Sequence, residues 1–526
     1  MAEVKVIILA AGQGKRMKSK LPKVILPICG VPMLQYVIWE ALKLTPSKPM
    51  VVVGYQGEKV IAQIGDGVDY VWQREQLGTG HAVKVASEQL SDFTGDLLVL
   101  YGDTPFISAS SLQELLNEHR TQKAAATVLT AELENPAGYG RILRTPEGRL
   151  SGIIEDQDAS AEQRLIREVN TGIYCFSFPE LVTALSGLQP QNAQGEYYLT
   201  DVITILAQQG KSLRAIKCRN PKEIMGPNDR RALSETERAM RMLILERLME
   251  NGVSIIDPAT TYVDPRVKVG QDTTLYPGTI LMGETVISSD CRIGPYTQIT
   301  DSQIGEGCHV HFSILTEVCL GKRVECGPYA HCRPGTVAAD GAKIGGFVEV
   351  KNVQIGEESK VPHLSYIGDA EIGSGVNIGA GTITCNYDGV RKWKTIIEDG
   401  AFVGSNTNLV APVRVGEKAL IGAGSTITRD VPADSLAIAR AQQIHKVAAP
   451  TVDSTPTGDG QFAVTLNCPT AGATLFYSLD GQEPSEEGNR YYHQPLLLPA
   501  GTILKAKAFK EEWLPSKTVM IKIGEN

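Results

Sequence analysis

Residues 269–299 read "VGQDTTLYPGTILMGETVISSDCRIGPYTQI", and their rhythm decides the fold of more than a third of the chain. Val269, Leu275, Leu281, Ile287, Ile293 and Ile299 recur every six residues without a break. The beat returns at Ile397, Val403, Leu409, Val415, Ile421 and Ile427, and glycine often follows the aliphatic residue, as at Gly270, Gly294, Gly404, Gly416 and Gly422. A period of six is neither the 3.6 of a helix nor the 2 of a simple strand. It belongs to hexapeptide repeats, in which each hexapeptide forms one short face of a coil and its aliphatic residue points inward. The spacing predicts a parallel β-helix over residues 253–447. Leu320, Cys326 and Cys332 keep the same interval, so these two thiols are expected to pack inward.

Between Thr384 and Ile397 the beat is broken by "CNYDGVRKWK". Such an excursion adds nothing to the packing of a coil, and insertions in repeat architectures map to loops on one face, often the binding face. This one carries Asn386, Tyr387, Arg391 and Lys392, which suits a phosphorylated ligand; the alternative is an inert solvated loop.

Working outward, residues 1–228 alternate strand-like runs ("KVIILA", "PMVVVGY", "DLLVLYGD", "AAATVLTAEL") with helical stretches such as 32–42 and 110–119. This is the texture of an α/β, Rossmann-like domain with a mainly parallel sheet. Residues 229–252 read as a linker helix, with Met240, Leu243, Ile244 and Leu248 on one face and Asn251-Gly252 as its stop. In residues 448–526, "QFAVTLNCP", "ATLFYSLDGQEPS" and "GTILKAKAFKEEW" show strand alternation and turn punctuation, which predicts a small β-sandwich. Lysines alternate with small or apolar residues in "KAKAFK", the mark of a strand with one wet face.

At 526 residues the chain exceeds a single core. A net charge of −8 argues against a nucleic-acid-binding surface. The N-terminal apolar run is too short for a signal peptide and lacks its cleavage pattern, and no apolar stretch approaches the ~20 residues of a membrane span. The ten cysteines show no zinc-like C-x2-C pairing. Reduced, structural thiols and a cytoplasmic location are expected.

The stretch from Leu9 to Ile25, "LAAGQGKRMKSKLPKVI", leaves a strand for a glycine-rich, cationic turn. It is not the G-x-x-x-x-G-K-[ST] of a Walker loop, and it lacks the third glycine of the dinucleotide fingerprint. Its residues make an anion-binding turn: backbone N–H groups for phosphate oxygens, Arg16 for a bidentate grip and Lys23 as a point charge. Asp103 ends the run "DLLVLYGD", where the carboxyl end of a parallel strand presents groups to a crevice.

Beyond these readings, "LAAGQGKRM…LPKVI" resembles the signature of the sugar-phosphate nucleotidylyltransferases. "QLGTGHAV", "LYGDTPFI", "GYGRI", "EVNTGIY" and "NAQGEYYLTDVI", followed by "HCRPG", "VEVKN", "PHLSYIGDA", "NIGAGTITCNYDG" and "RKWK", resemble one branch of them. That branch is the bacterial bifunctional family joining N-acetylglucosamine-1-phosphate uridyltransferase to glucosamine-1-phosphate N-acetyltransferase. The likeness runs from about residue 4 to 446.

The resemblance implies a left-handed β-helix, a homotrimer, Mg²⁺, and UTP and acetyl-CoA as co-substrates. It implies that Leu9, Ala10, Ala11, Gly12, Arg16 and Lys23 hold the triphosphate, with Tyr101, Gly102 and Asp103 at the same site. Gln73, Gly78 and Thr79 would read the uracil. Gly140, Glu155 and Asn170 would hold the N-acetylglucosamine moiety, and Asp103 and Asn228 the metal. In the second half, His363 would be the general base of acetyl transfer. Arg333, Lys351 and Lys392 would hold the sugar phosphate, with Tyr366 and Asn377 orienting the sugar. Ala380, Asn386, Tyr387, Ser405, Ala423 and Arg440 would line the acetyl-CoA site. Family members often carry threonine where this chain has Lys15, which either adds a phosphate contact or points to water.

A single-activity nucleotidylyltransferase with a purely structural β-helix is the alternative reading. Residues after Pro450 resemble the small C-terminal β-sandwich of chitobiases and hexosaminidases. Tyr477, Tyr491, Tyr492 and Trp513 there either stack on a sugar or serve as core and edge aromatics.

Overall fold

The six-residue beat closes into coils. The computed structural model describes residues 3–487 and 490–525, without the side chains of Arg490 and Tyr491. Three hexapeptides make one turn, and each face pairs in parallel with the same face of the next coil. One face aligns Leu275, Ile293, Val310, Cys326 and Ile344. A second aligns Leu281, Ile299, Leu315, Cys332 and Val350, and the third Ile287, Ile304, Leu320 and Ala338. All of these residues are buried, so the interior is one continuous aliphatic column. Cys326 and Cys332 are fully buried within it, their sulfurs 3.6 Å apart.

The N-terminal α/β domain is built on one sheet. Its central strand, Val4–Leu9, lies between Asp96–Tyr101 and Met50–Val53, both parallel to it. Glu168–Ser177 runs antiparallel between Asp96–Tyr101 and Ala126–Glu132. The chain thus leaves the central strand in both directions, which opens a crevice at the carboxyl ends of Leu9 and Tyr101.

The linker helix spans Arg230–Glu250, capped by the Asp229 carboxylate accepting the Ala232 N–H at 2.8 Å. Met240, Ile244 and Leu248 are buried as expected, but Leu243 is 46% exposed and Leu245 is buried in its place. At ~100° per residue, Leu243 lies on the outer side of Met240, whereas the buried stripe runs through Ile244 towards Leu245. The stripe packs in one cluster with Met17, Leu26, Ile28 and Cys29 of the first domain and with the β-helix interior.

The chain divides into two compact units, the first ending at Ile438 and the second covering Ala439–Asn526. The second is a sandwich. One sheet joins Thr451–Pro456, Gln461–Asn467 and Leu496–Pro499; the other joins Arg490–Tyr491, Thr474–Ser478, Ile503–Phe509 and Val519–Lys522. Ala506 and Ala508 are fully buried, and Lys505 and Lys507, which alternate with them, are not. Tyr477 is buried, and Tyr492 packs against the same core. Trp513 stacks with His445 at 4.7 Å, with the Lys510 ammonium 4.6 Å from its ring centre. These three aromatics are engaged within the sandwich; the Tyr491 side chain lies outside the described residues.

Ile293 has no exposure and touches its equivalents above and below. Ile293→Ala should destabilise the protein by about 2–5 kcal/mol, seen as a lower urea midpoint for the β-helix transition.

Candidate active sites

The crevice of the first domain is a cleft of about 600 Å³ lined by the whole Leu9–Gly12 run, Arg16, Lys23, Gln73, Gly78, Thr79, Tyr101, Asp103 and Asn228. Residues far apart in sequence converge because the strand Val4–Leu9 ends beside Tyr101, with the Gly102 N–H donating to the Leu9 carbonyl at 3.0 Å. Gly102 itself is buried, and a Cβ there would meet Leu34 and Val24. Arg16 lies on a 3-10 turn, Lys15–Met17, entered by Gly14 at φ +61°. A Cβ on Gly14 would stand 2.7 Å from that of Lys23, so only glycine lets the loop lie against this lysine. Lys15 is exposed and lines the same cleft as Arg16.

Lys23 is nine-tenths buried. Its ammonium donates to the Asp103 carboxylate at 2.5 Å and to the Asn228 amide oxygen at 2.9 Å. A carboxylate from a strand end and an amide from the foot of the linker helix therefore converge on one cation. Two hard oxygen donors of this kind fit a divalent ion such as Mg²⁺, whose remaining positions are usually filled by phosphate and water.

Gln73, also buried, donates through its amide to the Gly78 carbonyl at 3.0 Å. The Thr79 hydroxyl accepts the Leu199 N–H at 3.0 Å. The segment "NAQGEYY" backs this loop, with the Gly80 N–H donating to the Tyr197 carbonyl at 2.8 Å.

Gly140, Glu155 and Asn170 form a neighbouring group. A Cβ on Gly140 would lie 3.5 Å from both Glu155 Oε2 and Asn170 Cβ, and the Asn170 N–H donates to the Gly140 carbonyl at 2.8 Å. Burial raises the Glu155 carboxyl above its ordinary range, opposed by a hydrogen bond from Thr200. Tyr101 joins the two groups: burial, then the Glu155 and Asp103 carboxylates, push its phenol upward.

Tyr55, Gln76 and Glu196 also line the cleft, although the sequence reading did not single them out. Tyr55 ends the run "PMVVVGY", so the strand-end rule applied to Asp103 could have found it. Gln76 stands two residues before Gly78. Glu196 falls within the quoted stretch "NAQGEYYLTDVI", which carried the signal without a role for this residue.

In the β-helix the predicted residues sort into columns. Lys360, Asn377, Phe402 and Leu420 are register partners on successive coils. Three residues further along each coil stand His363, Ala380, Ser405 and Ala423, which share one corner. Backbone hydrogen bonds link that corner, from Gly381 N–H to the His363 carbonyl, Asn406 N–H to Ala380 and Gly424 N–H to Ser405. His363 and Asn377 line a hollow of about 610 Å³.

On the next face, Arg333, Lys351 and Gly368 are stacked, and Tyr366 pairs with Glu349 in the same ladder. Lys392 is the cation that acts most strongly on Lys351. Contact with Lys392, reinforced by Arg333, holds the Lys351 pKa below the ordinary lysine value. The interrupting segment is a small hairpin closed by Tyr387 and Lys392. Its Asn386 is buried and donates to Asp369 at 2.5 Å; Tyr387 is exposed. The Tyr366 hydroxyl and the Asn386 amide nitrogen both come within 3 Å of the position of a Cβ on Gly368. Arg440 belongs to the second unit.

An α/β domain with an anion cleft, joined to a hexapeptide β-helix bearing its own cationic group, defines a nucleotidyltransferase fused to a hexapeptide transferase. Family comparisons agree. Residues 6–171 match the MobA-like NTP transferase domain, 394–429 the bacterial transferase hexapeptide and 454–520 the chitobiase/beta-hexosaminidase C-terminal domain. The bifunctional protein GlmU of Geobacillus sp. (strain WCH70) is 52% identical over 440 residues, 84% of this chain and 96% of its own. That of Carboxydothermus hydrogenoformans is 52% identical over 441 residues, 84% of this chain and 98% of its own. The chain belongs to the GlmU family of bifunctional proteins.

The raised Glu155 carboxyl yields a pH test. An acid whose pKa is higher in the folded state makes the fold less stable as pH rises above the ordinary carboxyl value of 4.5. Glu155→Gln should therefore raise the thermal midpoint at pH 7–8, and the gain should shrink as the pH falls towards 4.5.

Proposed function

We propose that this chain carries out two consecutive steps of UDP-N-acetylglucosamine synthesis. At the β-helix, acetyl-CoA acetylates the amine of glucosamine 1-phosphate. At the N-terminal cleft, the N-acetylglucosamine 1-phosphate so formed attacks the α-phosphorus of UTP and pyrophosphate leaves. The observation that carries a two-site reading is the cluster of Lys351, Lys392 and Arg333. Gathering cations gives a scaffold no stability, whereas it suits a phosphate, and this weighs against a purely structural β-helix.

Uridylyl transfer needs no general base, because the attacking phosphate is already an anion. Its demands are in-line positioning and neutralisation of crowded negative charge. Arg16 grips the triphosphate in a bidentate manner, and Lys23 and the loop N–H groups neutralise it. Gln73, Gly78 and Thr79 read the uracil, and Gly140, Glu155 and Asn170 hold the sugar. Asp103 and Asn228 are the residues that would hold Mg²⁺. Bound there, the ion supplies further neutralisation of phosphate charge.

In acetyl transfer, His363 accepts the proton of the amine as its nitrogen attacks the thioester carbonyl, and the CoA thiolate leaves. Arg333, Lys351 and Lys392 hold the sugar phosphate, while Tyr366 and Asn377 orient the sugar. The small residues Ala380, Ser405 and Ala423 let the pantetheine arm lie along the His363 corner, with Asn386 and Tyr387 as further contacts.

The working form is a homotrimer. His363 and the lysine cluster occupy different faces of one coil, and Tyr296, Tyr329, Phe347 and Leu364 leave an exposed apolar ladder for a second copy. No helix of the described residues is long and apolar enough to cross a membrane. UTP and acetyl-CoA as co-substrates point to work in the cytoplasm.

Following CoA and pyrophosphate release separately tests both halves. His363→Ala should lower acetyl transfer by roughly 10²–10⁴-fold and spare uridylyl transfer. Arg16→Ala should do the reverse, by about a hundredfold. Acetyl transfer that survives His363→Ala would refute the second site.

A further inference from the structure

The segment carrying the phosphate-binding cations is tied to the linker helix at two points. At the first residue of the helix, the Arg230 Nε–H donates to the Met17 carbonyl at 3.1 Å. Met17 closes the 3-10 turn that bears Arg16. Seven residues later on the helix, the Glu237 carboxylate accepts the Cys29 N–H at 2.7 Å, and the Cys29 thiol lies 3.7 Å from the Glu237 carbonyl oxygen. Residues seven apart share a helix face and are about 10.5 Å apart along it. Lys23 lies between the two fastenings, and Arg16 one residue before the first.

The far fastening is braced in turn. Cys29 adopts φ +45° beside Gly30 in the turn joining Pro27–Ile28 to Val31–Pro32. The Asp264 carboxylate occupies the space a Cβ of Gly30 would take, only 2.4 Å from that position. Asp264 is itself held by the Gly283 N–H of the next coil at 2.9 Å. Helix and first β-helix coils thus grip a segment of the other domain with directional polar contacts as well as apolar packing.

We infer that Arg230 and Glu237 are positioning residues of the nucleotide site. They hold the segment from Arg16 to Cys29 in the shape that the triphosphate requires. The inference rests on the uridylyl-transfer reading. Neither side chain lines the cleft, so each acts through the backbone it holds. With a fastening removed, the segment must be ordered by the nucleotide itself, and part of the binding energy is diverted to that ordering. The signature is weaker nucleotide capture with little change in the chemical step.

The full-length enzyme tests this with steady-state kinetics of both reactions. Arg230→Ala and Glu237→Ala should each raise the KM for UTP about fivefold, leave kcat within twofold and leave acetyl transfer unchanged. Glu237→Gln, whose amide oxygen still accepts the Cys29 N–H, and Arg230→Lys should recover most of the loss. An unchanged KM in both alanine variants overturns the inference. So does a fall in Vmax and thermal midpoint at constant KM, which marks a merely structural role. Wild-type enzyme without uridylyl transfer, or an Arg16→Ala variant of full activity, would instead defeat the functional reading and the inference with it.

Discussion

Parallel pairing between coils is the constraint on which the β-helix and its chemistry depend. Each coil must pass its backbone N–H and C=O groups to the coil above, about 4.8 Å away. Residues at equivalent positions are thereby forced into columns. His363, Ala380, Ser405 and Ala423 share a corner because Lys360, Asn377, Phe402 and Leu420 are register partners. Arg333 and Lys351 are stacked for the same reason. A site assembled this way is linear, which suits a long, thin acyl carrier. Extra reach has to come from outside the register. The hairpin closed by Tyr387 and Lys392 supplies it, and it brings Lys392 against Lys351.

The same constraint explains what could be read from the sequence. Inward positions obey a strict period, so Leu275 through Ile299 and the two buried cysteines were predictable from spacing alone. The break in that period marked the hairpin. The linker helix was legible as a helix but not in its exact face, because Leu243 and Leu245 are equally apolar and only the neighbouring surfaces choose between them. The nucleotide cleft was legible only in part. Its glycine turn and strand-end carboxylate carry local signals, but Asn228 meets Asp103 through tertiary folding across 124 residues of intervening chain. No periodicity encodes that meeting. Arg230 and Glu237 were missed because a side chain that binds a distant backbone carbonyl or N–H leaves no pattern in sequence.

The two anion sites follow opposite electrostatic strategies. In the cleft, Lys23 is buried, and a buried ammonium must be paired. Asp103 and Asn228 pair it, and the arrangement is stable without a ligand at the expense of spending the lysine's charge locally. On the proposed uridylyl-transfer reading, a triphosphate could use that charge only with another cation beside Asp103. On the β-helix, Lys351 is half-buried and Lys392 exposed, and the Asp369 carboxylate offsets only part of the repulsion that lowers the Lys351 pKa. Arg333, the third cation of the group, is ion-paired with Glu349 at 2.9 Å. Burial therefore sets the difference between the sites. The enclosed lysine has to be paired, whereas the more open lysines are left with their mutual repulsion.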